Sequence, residues 1–252
     1  MPLPLSECAQ GGAQLCLLAL ACFAIGCSRG EPPEAAAVPA ATAEVPEPWE
    51  TIDGVDTGFR PIRLADCDVF YGKGEPTGAT WTEHGPVLRC SGKPRGYLYT
   101  KQKYRNFTLR CDYRFLQTDS LDPDKRELCN TGFLIYVTEP HKQWPVSLEV
   151  QGRFDQMAAI KANGGAADPE LLLHDEAARE QARSPVEEWN TIEIISRDGA
   201  LSADLNGSPI CRSAATDLVQ GAIGVQSEDS PVEFRNLRIR EDQPAPVQPT
   251  GQ

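Results

Sequence analysis

The stretch NFTLRCDYRFLQ, residues 106–117, decides the fold. Phe107, Leu109, Cys111, Tyr113 and Phe115 alternate with Thr108, Arg110, Asp112 and Arg114. Successive side chains of an extended chain point to opposite faces, so this alternation marks a strand with one face in a core and one in water. The same period recurs outward from it. Val146, Leu148 and Val150 alternate with Ser147, Glu149 and Gln151, and Asn190, Ile192 and Ile194 share one face of residues 189–196. Asp198-Gly199 reads as a hairpin turn with Leu201, Ala203 and Leu205 on the return strand, and Asn206-Gly207 marks the next turn. Residues 221–226 and 232–240 add two strands, the second with a phase shift between Phe234 and Leu237 that predicts a bulge or bend. Residues 132–137 (GFLIYV) are continuously apolar, as in a strand buried on both faces.

Many short strands joined by Gly, Pro and Asn turns predict an antiparallel sandwich or jelly roll. One helical patch stands apart: Asp168-Pro169-Glu170 has helix-start chemistry, and a helix is expected from there to about Arg183. It would sit in an insertion, 155–188, beside or over one sheet face.

Composition agrees. The 252 residues include 21 Gly and 21 Pro, which suits a loop-rich β protein better than a helix bundle. The 36 acidic residues against 24 Lys plus Arg, a net charge of −12, oppose binding to nucleic-acid phosphates or anionic lipid head groups. No apolar run reaches the roughly 18–20 residues of a membrane-crossing helix, which excludes a polytopic membrane protein.

The ends read as address and spacer. Residues 13–27 (AQLCLLALACFAIGC) are apolar but for Gln14, and small residues precede Cys27. The segment resembles the lipobox of a bacterial lipoprotein, although Ala24 stands where Leu is usual and the start carries Glu7 rather than positive charge. The reading is a signal peptide over 1–26, lipidation of Cys27, and an exported chain facing the periplasm or cell exterior. An ordinary signal peptide or an uncleaved single anchor is the alternative. Pro, Ala and Glu dominate 27–59, an expected tether, and 242–252 has the character of a disordered tail. The folded unit is expected over 60–241.

Several segments in order carry a resemblance. They are Trp81-Thr82, Gly96 to Thr100, Tyr104 to Phe107, Asn130-Thr131-Gly132-Phe133, Trp144-Pro145 and Ser147 to Gln151. Glu188-Trp189-Asn190, Leu205-Asn206-Gly207, Gly221 to Gln226 and Phe234 to Leu237 complete the set. Together they resemble the domain-of-unknown-function 1080 family, also called the 3-keto-disaccharide hydrolase domain. The resemblance implies a concanavalin A-like jelly-roll β-sandwich, here with a short helical insertion. It also implies a carbohydrate-directed hydrolase acting on 3-keto-glycosides. A ketone at C3 acidifies the C2–H bond, so the glycosidic bond can be cut by elimination and hydration, which calls for a base and an acid.

Glu149 is the candidate catalytic residue: it lies on the polar face of its strand with Ser147 and Gln151, and a carboxylate there can act as base or acid. A solvated strand face is the alternative. Gln151 is a candidate for orienting sugar hydroxyls. Asn130, in the family's Asn-Ser-Gly with Thr131 for Ser, is a hydroxyl ligand or a turn residue. Gln226 matches the family's Gln near the carboxy end, but Ser227-Glu228-Asp229-Ser230 lacks the His that commonly follows it. Arg114 is a sugar contact or a cross-strand ion pair with its neighbours. Lys161 is a weaker candidate. The Glu-Asp-Glu strand of concanavalin-like glucanases is absent: Gln151 and Arg153 follow Glu149, and Asp155 lies beyond. A two-carboxylate mechanism would need a partner from another strand.

His84, His141 and His174 form no metal-ligand spacing, so no metal and no cofactor is expected; calcium, held by Asp and backbone oxygens, has no motif in its support. Five cysteines (Cys67, Cys90, Cys111, Cys129, Cys211) remain after the leader and Cys27, enough for at most two disulfides. The expected partners are a carbohydrate and, through the lipid alone, a membrane. The rival function is a non-catalytic, lectin-like carbohydrate-binding module that uses Trp144, Tyr136 or Trp81 as stacking platforms. A protein-interaction domain is a third reading and predicts an exposed apolar patch.

Overall fold

The alternation is realised as two antiparallel sheets packed face to face. The computed structural model describes residues 57–73 and 78–242. Positions 1–26, Cys27, the tether to residue 56 and the tail from 243 lie outside the described residues. In chain order the strands are β1 (Arg60–Pro61), β2 (Cys67–Tyr71), β3 (Trp81–His84), β4 (Val87–Cys90), β5 (Gly96–Thr100), β6 (Phe107–Phe115), β7 (Gly132–Val137) and β8 (Ser147–Gln151). They continue as β9 (Ile160–Asn163), β10 (Leu171–His174), β11 (Asn190–Arg197), β12 (Ala200–Leu205), β13 (Ser208–Ser213), β14 (Ala222–Ser227) and β15 (Val232–Glu241). Helices α1 (Pro123–Glu127) and α2 (Glu176–Ala182) are short.

The larger sheet runs β10-β13-β12-β11-β6-β15-β4-β3, with β1 beside β15; the smaller runs β2-β5-β14-β7-β8-β9. The core lies between them. Phe133 of β7, from the smaller sheet, meets Tyr113 of β6 and Phe234 of β15, from the larger, at ring-centroid distances of 5.6 and 6.3 Å. Both contacts are edge-to-face, the arrangement aromatic quadrupoles favour. The jelly-roll expectation and most strand assignments hold. Asp198 and Gly199, and Asn206 and Gly207, turn their hairpins with positive φ, as a two-residue antiparallel connection requires. The expected irregularity in residues 232–240 is a bulge: the register of β15 on β6 shifts between Arg235 and Arg238, with Asn236 at φ 54°.

The helix prediction needs correction. Leu171–His174 is strand β10, paired to β13, and α2 starts seven residues after Asp168-Pro169. Its cap is Asp175, whose carboxylate accepts a hydrogen bond from Ala178 N–H at 2.8 Å. Leu171 pairs with Ser213 and Leu173 with Arg212, across a register shift, and this pairing outweighs the local start signal at Asp168. Nor is 155–188 an appendage: it supplies β9 to the edge of one sheet and β10 to the edge of the other.

All five described cysteines are buried, unpaired thiols. Burial pushes the Cys67 thiol up to about 12 and holds Cys111 well above the ordinary thiol range, so both stay protonated and behave as small apolar core groups.

Phe133→Ala removes the ring that joins the sheets. It is expected to lower unfolding stability by about 3–5 kcal/mol in a urea titration. A loss below about 1 kcal/mol would place the inter-sheet contact elsewhere.

Candidate functional site

On the smaller sheet, Leu98, Phe133, Ile135, Leu148, Val150, Ile160, Ile223 and Val225 face the core. Their alternating neighbours must point outward. Pairing aligns these into transverse rows. Lys161, Glu149, Leu134, Gly224 and Tyr99 stand side by side across β9, β8, β7, β14 and β5. In the next row are Gln151 and Gly132, and Gln226 beside Tyr97 and Phe70.

Glu149 therefore stands on the outward face, yet only 3% of it is exposed. Gly132 leaves room for the Glu149 side chain and for that of Gln226. A Cβ built on Gly132 would lie 2.3 Å from Gln226 Oε1 and 2.6 Å from Glu149 Oε1. The two oxygens converge on a spot that is free only because residue 132 has no side chain. Lys161 Nζ is 3.6 Å from Glu149 Oε2, and its own side chain is 48% exposed. Burial pushes Glu149 up to about 7; Lys161 opposes the rise and the charge of Glu228 adds to it. Burial likewise raises Glu228, against the pull of Arg95 and Lys161.

Gln226 is 2% exposed, and neither its Oε1 nor its Nε2 has a hydrogen-bond partner among the described residues. Asn163 Nδ2, two residues along β9 from Lys161, and Asn130 Oδ1 are also buried and unpartnered there. A buried polar group without a partner costs about 1–3 kcal/mol. Gln226 and Asn130 lie on one side of Glu149 along the strands and Asn163, opposite Ser147, on the other, so unpartnered polar atoms flank the carboxylate as they would for a ligand rich in hydroxyls.

The sequence candidates separate cleanly. Glu149, Gln226 and Lys161 come together, and Asn130 lies two residues before Gly132, its N–H donating to Ser230 Oγ at 2.9 Å. Gln151 is on the same face, but its Oε1 accepts hydrogen bonds from the N–H groups of Gly152 and Arg153, both at 2.9 Å. That oxygen is committed to the turn and does not accept from a sugar hydroxyl. Arg114 is on the other sheet. There it donates to Glu233 Oε2 at 3.0 and 2.9 Å and lies 4.5 Å from the Trp189 ring centroid. It forms the cross-strand ion pair, and the core separates it from Glu149. Trp144, in the loop between β7 and β8, is 39% exposed and accessible for stacking. Tyr136 and Trp81 are not: both are buried in the core, which removes them as platforms. Asp155 is held by Arg153 at 2.6 Å.

The residue that sequence reasoning passed over is Glu228. The strand of Glu149 offers no second carboxylate at the required spacing, and Glu228 follows the end of β14, a strand whose place in the sheet only the pairing reveals. Its signal was the period-2 step from Gln226. Among the described residues no cluster of three or more His, Cys, Asp or Glu could hold a metal ion. An open groove of about 420 Å3 elsewhere, between Lys103, Arg105, Asp198 and Glu241, carries its own ion pair, Arg105 to Asp198 at 3.1 Å.

The proton on Glu149 has a stability consequence. The folded state binds it more tightly than the unfolded chain does, so stability falls as pH rises from about 4.5 to about 7. Glu149→Gln is expected to melt above the native protein at pH 8, by up to about 3 kcal/mol. The gap should close towards pH 4 in thermal melts. A variant less stable at pH 8 would show that the charge is a net stabiliser.

No curated protein matches the chain. Two solved structures, each called a "putative glycosyl hydrolase", from Parabacteroides distasonis, share its fold. One is 17% identical with TM-score 0.54, covering 78% of this chain and 99% of its own. The other is 20% identical with TM-score 0.51, covering 73% and 99%. The carbohydrate binding module CBM66 from Bacillus subtilis aligns at 9% identity with TM-score 0.46 over 70% of this chain and 96% of its own. The profile of the 3-keto-alpha-glucoside-1,2-lyase-like domain matches residues 65–240, and the chain belongs to that family.

Proposed function

We propose that the protein cleaves 3-keto-glycosides by elimination across C1–C2, with Glu149 as the base. One observation carries this reading. A carboxylate raised to about 7 by burial, beside an ammonium and an unpartnered amide, sits on the face of a domain from this family. A base works best when its pKa lies near the working pH.

The steps follow from the substrate's chemistry. The C3 ketone makes the C2 hydrogen acidic. Glu149 takes that proton, and negative charge moves to the ketone oxygen. Lys161, the ammonium beside Glu149, receives it. The C1–O bond then breaks as the C1=C2 bond forms, and the leaving oxygen takes a proton. Glu228, raised by burial, is the group that supplies it. Water added across C1=C2 completes a net hydrolysis. Gln226 and Asn130 are the partners for sugar hydroxyls. The rival lectin-like reading loses Tyr136 and Trp81 as platforms, both being in the core, and keeps Trp144.

Incubation with a 3-keto-glucoside should release the aglycone. Glu149→Gln should lower kcat/KM at least about 100-fold, and kcat/KM of the native protein should rise with pH as the base ionises and fall again once Glu228 loses the proton it gives to the leaving oxygen. Sugar binding without turnover, unchanged in Glu149→Gln, would reject the enzyme. The same proposal holds the protein to be exported and tethered to a membrane through lipid on Cys27. Labelling with radioactive palmitate in the native host should mark the chain and be lost in Cys27→Ser; label retained in that variant would contradict it.

A further inference from the structure

The outward face of the smaller sheet does not end at Gln226. Beyond it stand Tyr97 and Tyr99 on β5 and Phe70 on β2. The loop between β7 and β8 folds His141 onto them. Its ring lies 4.2 Å from that of Tyr99 and 6.2 Å from that of Phe70, and its Nδ1 is hydrogen-bonded to the Tyr97 hydroxyl at 2.9 Å. Tyr97 and Leu134 beneath are fully covered, whereas Phe70, Tyr99 and His141 are half-buried and present ring surface.

Position and reach give this cluster a role. Strands lie about 4.8 Å apart, so β5 is about 14 Å from β8 at the backbone. A sugar ring is about a third of that across, so a ring held at Glu149 and Gln226 leaves the next ring of a glycoside near Tyr99. In the other direction the face stops, because β9 is the sheet edge. Between the two places Gly224 projects no side chain. We infer that Phe70, Tyr99 and His141 form a second subsite, which takes the leaving ring of the glycoside by stacking on its apolar face. This rests on the proposed reaction at Glu149 and adds a specificity to it: glycosides whose aglycone is a ring are preferred over those with a small alkyl group.

The test compares phenyl and methyl 3-keto-glucosides, which share the reacting ring. Tyr99→Ala and His141→Ala are each expected to lower kcat/KM for the phenyl glycoside about three- to tenfold and to leave the methyl glycoside within roughly twofold. Tyr99→Phe, which keeps the ring, should match the native protein, and thermal melts confirm that each variant folds. Equal losses on both substrates, or none on either, would overturn the subsite. If the native protein cleaves neither substrate, the reaction proposal fails by itself. Titration with unoxidised phenyl glucoside, followed by NMR, then decides the subsite: binding that weakens in Tyr99→Ala supports it, and no binding or unchanged binding overturns it.

Discussion

The contact of Phe133 with Tyr113 and Phe234 is the constraint from which the rest follows. Side chains on a strand alternate, so anchoring Phe133 in the core forces Gly132 and Leu134 outward. Pairing then sends Glu149 and Gln226 outward on either side of β7. A slip of one residue would exchange the faces, drive Glu149 into the apolar core and expose Leu148 and Val150. The packing that stabilises the sandwich and the geometry that assembles the carboxylate, the ammonium and the amide are consequences of one register.

The site is bought at some cost in stability, as functional sites commonly are. Glu149 is removed from water with one exposed lysine for a partner, and Gln226 is buried with its amide unpartnered among the described residues. Neither arrangement helps the chain fold. Both suit the proposed reaction, which needs a base near neutral pH and partners for hydroxyls. The larger sheet differs in kind. There Arg114 and Arg89 share Glu233, Arg235 pairs with Asp112, and Trp189 lies under Arg114 and Arg235. That outer face carries a network of its own ion pairs.

Much of the fold was legible because strand periodicity is local. The alternation in residues 106–117, the Asp198-Gly199 and Asn206-Gly207 turns, and the phase break before Leu237 each announced a feature that the structure contains. The helix start was misplaced because Asp168-Pro169-Glu170 has sound capping chemistry, and only the partner strand Ser208–Ser213 shows that Leu171–His174 is extended. Of the site, Glu149 was readable as an outward polar position, Gln226 through the family resemblance, and Lys161 only as a weaker candidate. Their convergence was not, since it depends on which strands are neighbours. The same ignorance of pairing left Arg114 ambiguous and hid Glu228. Trp81 and Tyr136 looked like stacking platforms because an aromatic residue reads alike in a core and in a binding groove.

The central claim is that Glu149 removes the C2 proton of a 3-keto sugar. It is tested most directly with a 3-keto sugar that has no leaving group at C1, such as 1,5-anhydro-3-ketoglucitol, incubated with the protein in deuterium oxide and followed by proton NMR. The account predicts loss of the C2–H signal faster than in buffer alone, at a rate that rises through about pH 7 and returns to the buffer rate in Glu149→Gln. Exchange equally fast in Glu149→Gln, or no exchange above the buffer rate in the native protein, would contradict it.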